Sequence, residues 1–289
     1  MSTPKNHHFV SQVHIKNFFN TEENKIFVYD KIKRNHYYKT TTKTLFSEIG
    51  SNSRYLDGEV DHESLEKDLN DYFEKDFAIN TQLVKNFVQN KELNQEVENA
   101  LIYFAKYGII GDMRTPRFKK SMDDTFFKAF KMISENATPE LKTQIDQMFE
   151  YKDNVNYSNI LDYSEGVEQI IELMGNLIFE VVIPINDNDF FLIPDFAAAT
   201  ARAKINEYFN PDIEEIAYIG IALTSKIYIH FHSEKLFKGK EIPPSVIRHC
   251  LPEEVEITNK SNFAYCQDKV ACENESYLKR FIQSNKAPA

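Results

Sequence analysis

The sequence predicts an α+β fold, and three observations predict it. A strand pattern lies near the start, helical apolar stripes fill the middle, and strand patterns return before closing helices. Strands and helices are segregated along the chain, which argues against a doubly wound parallel sheet. The 289 residues are 42% apolar, with 23 Phe and 15 Tyr, enough for a packed core. No repeat and no Pro/Gly/Ser-rich linker divides them, so one α+β domain over residues 1–289 is expected.

Residues 24–32 (NKIFVYDKI) are rich in β-branched and aromatic side chains between polar flanks, and read as a strand. Residues 47–61 hold Gly50, Ser51, Asn52, Ser53, Asp57 and Gly58, and read as turns. Leu65, Leu69, Tyr72 and Phe73 then fall at helical spacing, as do Leu83, Val84, Phe87 and Val88, and next Val97, Leu101 and Phe104. The phase slips near Asn90, predicting a break there. Pro116 interrupts the next stretch, because the residue before a proline avoids the helical region. Phe126, Phe127, Phe130 and Ile133 mark a further helix. Thr138 and Pro139 form a start signal for another, as N-cap and first helical residue. A helix through Val167, Ile170, Ile171 and Met174 leads into residues 176–196, where two apolar runs flank Asn186–Asp189 and predict a β-hairpin. Residues 199–209 read as a short helix, 218–234 as one or two strands and 258–283 as one or two closing helices. Residues 179–194 and 227–232 are expected in one antiparallel sheet.

Composition excludes several classes. Only 8 residues are Gly, far below the usual ~7%, and neither G-x-G-x-x-G nor a Walker-type lysine loop occurs. No apolar run approaches the ~20 residues that span a bilayer, and no signal-peptide core is evident, so a cytoplasmic protein without membrane contact is expected. Cys250, Cys266 and Cys272 have no C-x-x-C spacing, so no cysteine-held zinc is expected. The net charge of −10 disfavours anionic partners in general. Residues 31–43 (KIKRNHYYKTTTK) are the exception, with five Lys/Arg, no acid, and Tyr37 and Tyr38 among them. Basic groups with interleaved aromatics can hold phosphates and stack bases, so nucleic acid or another phosphate ligand is a candidate here; a solvated, lysine-guarded edge is the alternative.

Six segments together resemble domain-of-unknown-function family 4238, known from bacterial genomes. HHFVSQVHIKNF (7–18) is similar to the paired-His opening of that family, in which a Pro, a Gln and a Leu/Phe pair follow. IFVYDK, RTPRF, FFLIPDF, IALTSKIYIHF and ITNKSNFAYCQDKVAC follow in order and resemble its later motifs. Ser11 stands where the family usually has Pro, Pro194 where it has Ser, and Ala222–Leu223 where it has Pro–Leu. The resemblance implies a fold and candidate positions, and no reaction. Those positions are His7, His8, Gln12, Arg114 and Asp195, with Asn259 leading the last helical motif.

Spacing constrains these candidates. His7 and His14 would lie about 10.5 Å apart along a helix, too far to share an ion. Adjacent His7 and His8 point in different directions, so the opening is no self-contained metal site. Each can be a base, a ligand completed from elsewhere, or a pin for the N-terminal arm. His230 and His232 share one strand face with Tyr228, which suits either chelation or an exposed polar face. Asp195 follows a strand, but no E-x-K lies in the strand a magnesium nuclease core needs, so that core is unsupported and a cap or turn role stands beside a catalytic one. Arg114 and Arg117 straddle Pro116, and Lys119 and Lys120 follow; they can bind phosphate or carboxylate, or pair within this acidic chain.

Two functions follow. One is a hydrolase, nuclease-like, acting on a phosphate-containing substrate, with His7, His8, Gln12, Arg114 and Asp195 catalytic and Arg117, Lys33, Arg34, Tyr37, Tyr38 and Asn259 binding substrate. The other is a non-enzymatic interaction module in which the histidines and arginines are structural pins. No cofactor is identified by either. Convergence of His7/His8, Arg114 and Asp195 on one pocket would favour the first. The apolar Phe9, Val10, Val13, Ile15, Phe18 and Phe19 predict that the arm docks and brings His7 or His8 near Asp195 or Arg114.

Overall fold

The computed structural model describes residues 5–56, 59–206 and 213–285; the turn residues Asp57 and Gly58 and part of the stretch 199–209 lie outside them. In chain order the elements are β1 (Asn6–His8), α1 (Gln12–Lys16), β2 (Ile26–Asp30), β3 (Asn35–Lys39), β4 (Ser47–Ile49), β5 (Arg54–Leu56) and β6 (Glu59–Asp61). Helices follow: α2 (Ser64–Leu69), continued by a π-turn at Asn70–Glu74, then α3 (Phe77–Asn90), α4 (Gln95–Met113), α5 (Pro116–Ser134), α6 (Pro139–Asp153) and α7 (Tyr163–Met174). The rest is β7 (Leu177–Pro184), β8 (Ile193–Pro194), β9 (Ala199–Ala203), β10 (Glu215–Thr224), β11 (Ile227–Ser233), β12 (Val246–Cys250), α8 (Pro252–Tyr265), β13 (Lys269–Cys272) and α9 (Glu275–Ser284). The fold is α+β, with strands first, helices in the middle, then a strand cluster and closing helices.

The larger sheet runs β12-β7-β11-β10-β9 and is antiparallel apart from the parallel pair β12/β7. Its inward face (Ile219, Ile221, Ile229 and Phe231) joins the main core with Phe104, Ile109 and Val167 of the helices. Helix α4 lies close on this sheet because Gly108 has no side chain; a Cβ there would come within 2.5 Å of Ile219. The second sheet runs β3-β2-β13-β8 and packs on α9 through Phe27, Tyr29, Val270, Leu278 and Ile282. β1 pairs with β4, and β5 with β6.

Most expected elements form. The break near Asn90 is the end of α3, followed by α4 at Gln95. Thr115 caps α5 from just before Pro116, and Thr138 Oγ1 accepts from Leu141 N at 3.3 Å at the start of α6. Three expectations are corrected. Residues 176–196 are no hairpin: β7 belongs to the larger sheet and β8 to the smaller. Only the first run pairs with β11; the second is held by other partners, Phe191 N donating to Ser225 O and Leu192 N to the Asn259 side chain. Ala199–Ala203 is a strand, because pairing with β10 overrides alanine's helical preference. The closing helices α8 and α9 are separated by β13, so Cys266 caps α8 and Cys272 ends a strand; they do not share a helix.

Candidate functional site

The N-terminal arm is docked. His7 is 1% and His8 8% exposed. Asn52 N donates to His7 Nδ1 at 2.8 Å, which leaves the proton on Nε2, 3.2 Å from His62 O. Both ring nitrogens of His7 are therefore engaged. His8 Nε2 lies 3.0 Å from Thr42 O, and its Nδ1 has no hydrogen bond among the described residues. Thr42 Oγ1 donates to Gln12 Oε1 at 2.6 Å, which places Gln12 beside His8. Burial lowers the pKa of both histidines.

Arg114 meets the arm from the end of α4, at the corner that Pro116 makes with α5. Its Nη2 donates to His8 O at 2.5 Å, and its Nη1 pairs with Glu74 at 2.6 Å, with Glu66 3.9 Å from Nη2. The side chain is 2% exposed and its Nε has no partner among the described residues. Lys119, one turn into α5, is buried beside it, donating from Nζ to Ser51 O at 2.8 Å and to Asn52 Oδ1. Burial, with Arg114 adding to it, pushes its ammonium down to about 7. Glu66 also accepts from Asn52 Nδ2 at 3.1 Å. The sequence thus points to His7 or His8 beside Arg114, gives Lys119 only as one of the cations after Pro116, and misses Glu66, Glu74 and Asn52 as their partners. Lys119 did carry a signal: Lys119, Asp123 and Phe127 recur every four residues on the buried side of α5.

His14, set aside from spacing, is fully buried. Its Nε2 lies 2.7 Å from Ala222 O and its Nδ1 3.3 Å from Tyr107 Oη, and burial holds its pKa down to about 4. Ser11, where the family usually has Pro, lies 2.7 Å from Tyr107 Oη and caps α1.

Asp195 belongs to another network. Its carboxylate accepts from the backbone amides of Gln267 (3.0 Å), Asp268 (2.5 Å) and Lys269 (3.0 Å). Burial raises its pKa against the pull of those amides. It shares no hydrogen bond or ion pair with His7, His8 or Arg114 among the described residues. Asn259, expected to bind substrate, is fully buried: Oδ1 accepts from Leu192 N at 2.9 Å, and Nδ2 donates to Phe190 O at 2.8 Å and Tyr277 Oη at 3.0 Å. An amide so fully engaged inside the protein cannot reach a ligand, and Asn259 is a structural pin.

The turn that Asp195 holds has basic neighbours on two sides. Gln267 lines one wall of an open groove of about 640 Å³, and α5 lines the other with Arg117, Lys120, Asp124 and Lys128. Those three cations are exposed and make no ion pair among the described residues. From the other side, Lys31 N donates to Asp268 O at 2.6 Å, and Lys31 Nζ donates to Phe263 O (2.8 Å) and Cys266 O (2.7 Å). Lys31 thereby ties the β2–β3 turn, with exposed Lys33 and Arg34, to the same place. Strand alternation then turns Tyr37 inward, where burial lifts its pKa to about 12, and Tyr38 outward at 57% exposure under Lys25.

His230 and His232 share a face of the larger sheet, their rings 6.4 Å apart. Among the described residues no group of three or more His, Cys, Asp or Glu is placed to hold a metal ion, and no helix is long and apolar enough to cross a membrane.

No curated protein and no solved structure matches the chain. A family-wide sequence model does match, over residues 6–276, and it spans the histidine pair, the Arg–Pro corner, the Asp195 segment and the Asn259 helix. The chain belongs to the family described as "Protein of unknown function (DUF4238)".

Proposed function

We propose that this protein is a binding module for a phosphate-bearing polyanion, with single-stranded nucleic acid as the favoured ligand. One observation carries the reading: the turn pinned by Asp195 faces the α5 cations across a groove and is bonded to the Lys31 end of the basic hairpin. Arg117, Lys120, Lys128, Lys33 and Arg34 supply cations that release counterions when phosphates bind, and exposed Tyr38 offers a face for a base to stack on. The net charge of −10 acts against this attraction, and binding falls with salt because counterions released from the contacted phosphates gain less in a saltier solution. The hydrolase reading has less support. Its base, cation and carboxylate do not converge: His7 and Arg114 are engaged internally, and Asp195 holds a backbone turn.

The test is fluorescence anisotropy with a labelled single-stranded oligonucleotide, alongside displacement by inorganic polyphosphate. Arg117→Ala/Lys120→Ala/Lys128→Ala should lose affinity at least about tenfold, since each phosphate contact adds to the salt slope by about 0.7. Asp195→Asn should weaken binding by loosening the turn. No binding at low salt, or equal binding by the triple variant, would overturn the proposal; cleavage of the oligonucleotide would reinstate the hydrolase.

A further inference from the structure

A second place in the molecule, separate from α5 and the basic hairpin, has the make-up of a small-molecule site. On the outward face of the larger sheet, Tyr218 lies beside Tyr228, His230 and His232. Tyr228 is buried and shares hydrogen bonds with Tyr218 and Asn262, and Tyr218 Oη lies 2.8 Å from His230 Nδ1. The two phenol oxygens meet over Gly220, where a Cβ would strike both. Glycine in a strand interior weakens the strand, so this close polar pairing is kept against a stability cost.

The polar row continues into a recess of about 280 Å³. His232 and Glu180 provide its polar groups, and Phe237, Pro243, Pro244 and Val246 provide apolar walls. His232 has ring contacts with Tyr218, His230 and Phe237, but no hydrogen bond among the described residues. Its pKa is lowered by burial, so at neutral pH it offers one N–H and one lone pair. Glu180 is oriented by Arg248 through Oε1, and its other oxygen has no partner among the described residues. The acid is thus fixed in place by Arg248, which also pairs with Glu254 at 2.8 Å. Fixed polar groups at the mouth of an apolar recess are the usual make-up of a ligand pocket, and this volume is just below the ~300 Å³ where pockets for drug-sized ligands begin.

We propose that this recess binds a single neutral heteroaromatic ring system, of the size of a free purine base. A ring N–H would be given to Glu180 and a ring nitrogen would meet His232, while Phe237 and the two prolines cover the ring faces. The volume matches the ring system alone. The Tyr228–Tyr218–His230 chain holds the floor of the site rigid behind His232.

Equilibrium dialysis with labelled adenine tests this on the full chain, with the His232 ring resonance followed by NMR in parallel. Saturable binding that shifts the His232 signal is expected. Val246→Phe, which fills the recess and leaves both His232 and Glu180 in the chain, should abolish it. His232→Phe, which keeps an aromatic ring, should weaken it about tenfold, the worth of one good hydrogen bond. No saturable binding up to the solubility of adenine, or binding unchanged in Val246→Phe, would overturn the proposal. Toluene binding as tightly as adenine would overturn it too, because the polar pair would then recognise nothing.

Discussion

Arg114 and Arg117 stand on either side of one proline, and Lys119 and Lys120 are neighbours on one helix, yet the members of each pair end in opposite surroundings. Arg114 and Lys119 are buried and bonded to the arm and to the Ser51–Asn52 turn. Arg117 and Lys120 face an open groove without an ion pair among the described residues. A buried cation bonded on several sides holds the fold together, and an exposed one remains available to a ligand. Residue type alone cannot tell the two apart, and the period of the helix can.

Removing Arg114 should have the largest effect. Arg114→Ala leaves Glu74 and Glu66 facing each other and the His8 carbonyl without its donor, and should cost about 3–5 kcal/mol in urea denaturation. A loss under about 1 kcal/mol would show that the buried node is not what holds the arm.

The burial of Lys119 should be visible through pH. Its pKa is about 7 in the fold against 10.5 ordinarily, so between these values the folded chain holds fewer protons than the unfolded one. Stability should therefore rise with pH across that window. The urea midpoint of the native protein should climb from pH 7 to 9, and that of Lys119→Met should climb less. Equal slopes would mean that Lys119 stays charged through its bonds to Ser51 and Asn52.

Arg117 should give the smallest effect on stability. Arg117→Ala should stay within about 0.5 kcal/mol of the native protein. It should still lower the salt slope of oligonucleotide binding by about 0.7, one phosphate contact on a single strand. A large loss of stability would place Arg117 with Arg114.

The fold class, the breaks at Asn90 and Pro116 and the cap at Thr138 were legible because local chemistry decides them; the cap at Thr115 shows only in the structure. The strand at Ala199–Ala203 was not, since alanines favour a helix until β10 offers a partner. Nor was the divergence of β7 and β8, because two apolar runs around an Asn/Asp turn look alike whether or not they pair. At the candidate site, the docking of the arm followed from its apolar residues, and His8 does meet Arg114 as expected. The separation of Asp195 could not be read, because its partners are backbone amides, which any sequence supplies. His14 was dismissed on spacing within its own segment, although its carbonyl partner lies 208 residues away.

That last bond bears on how the chain folds while it is being made. The ring of His14 waits for the Ala222 carbonyl, and Asn17 for Leu223. Chains emerge from the ribosome at about 5–20 residues per second, so a gap of 208 residues corresponds to roughly 10–40 s. Throughout that interval Val10, Ile15 and Phe18, all fully buried at the end, lack the strand that completes their surroundings. His8 can already be held by Thr42 and Arg114 while His14 and Asn17 still wait for β10. A newly made chain therefore presents these apolar side chains to the cell before β10 is there to complete their burial, and its yield should depend on the chaperones that meet it there.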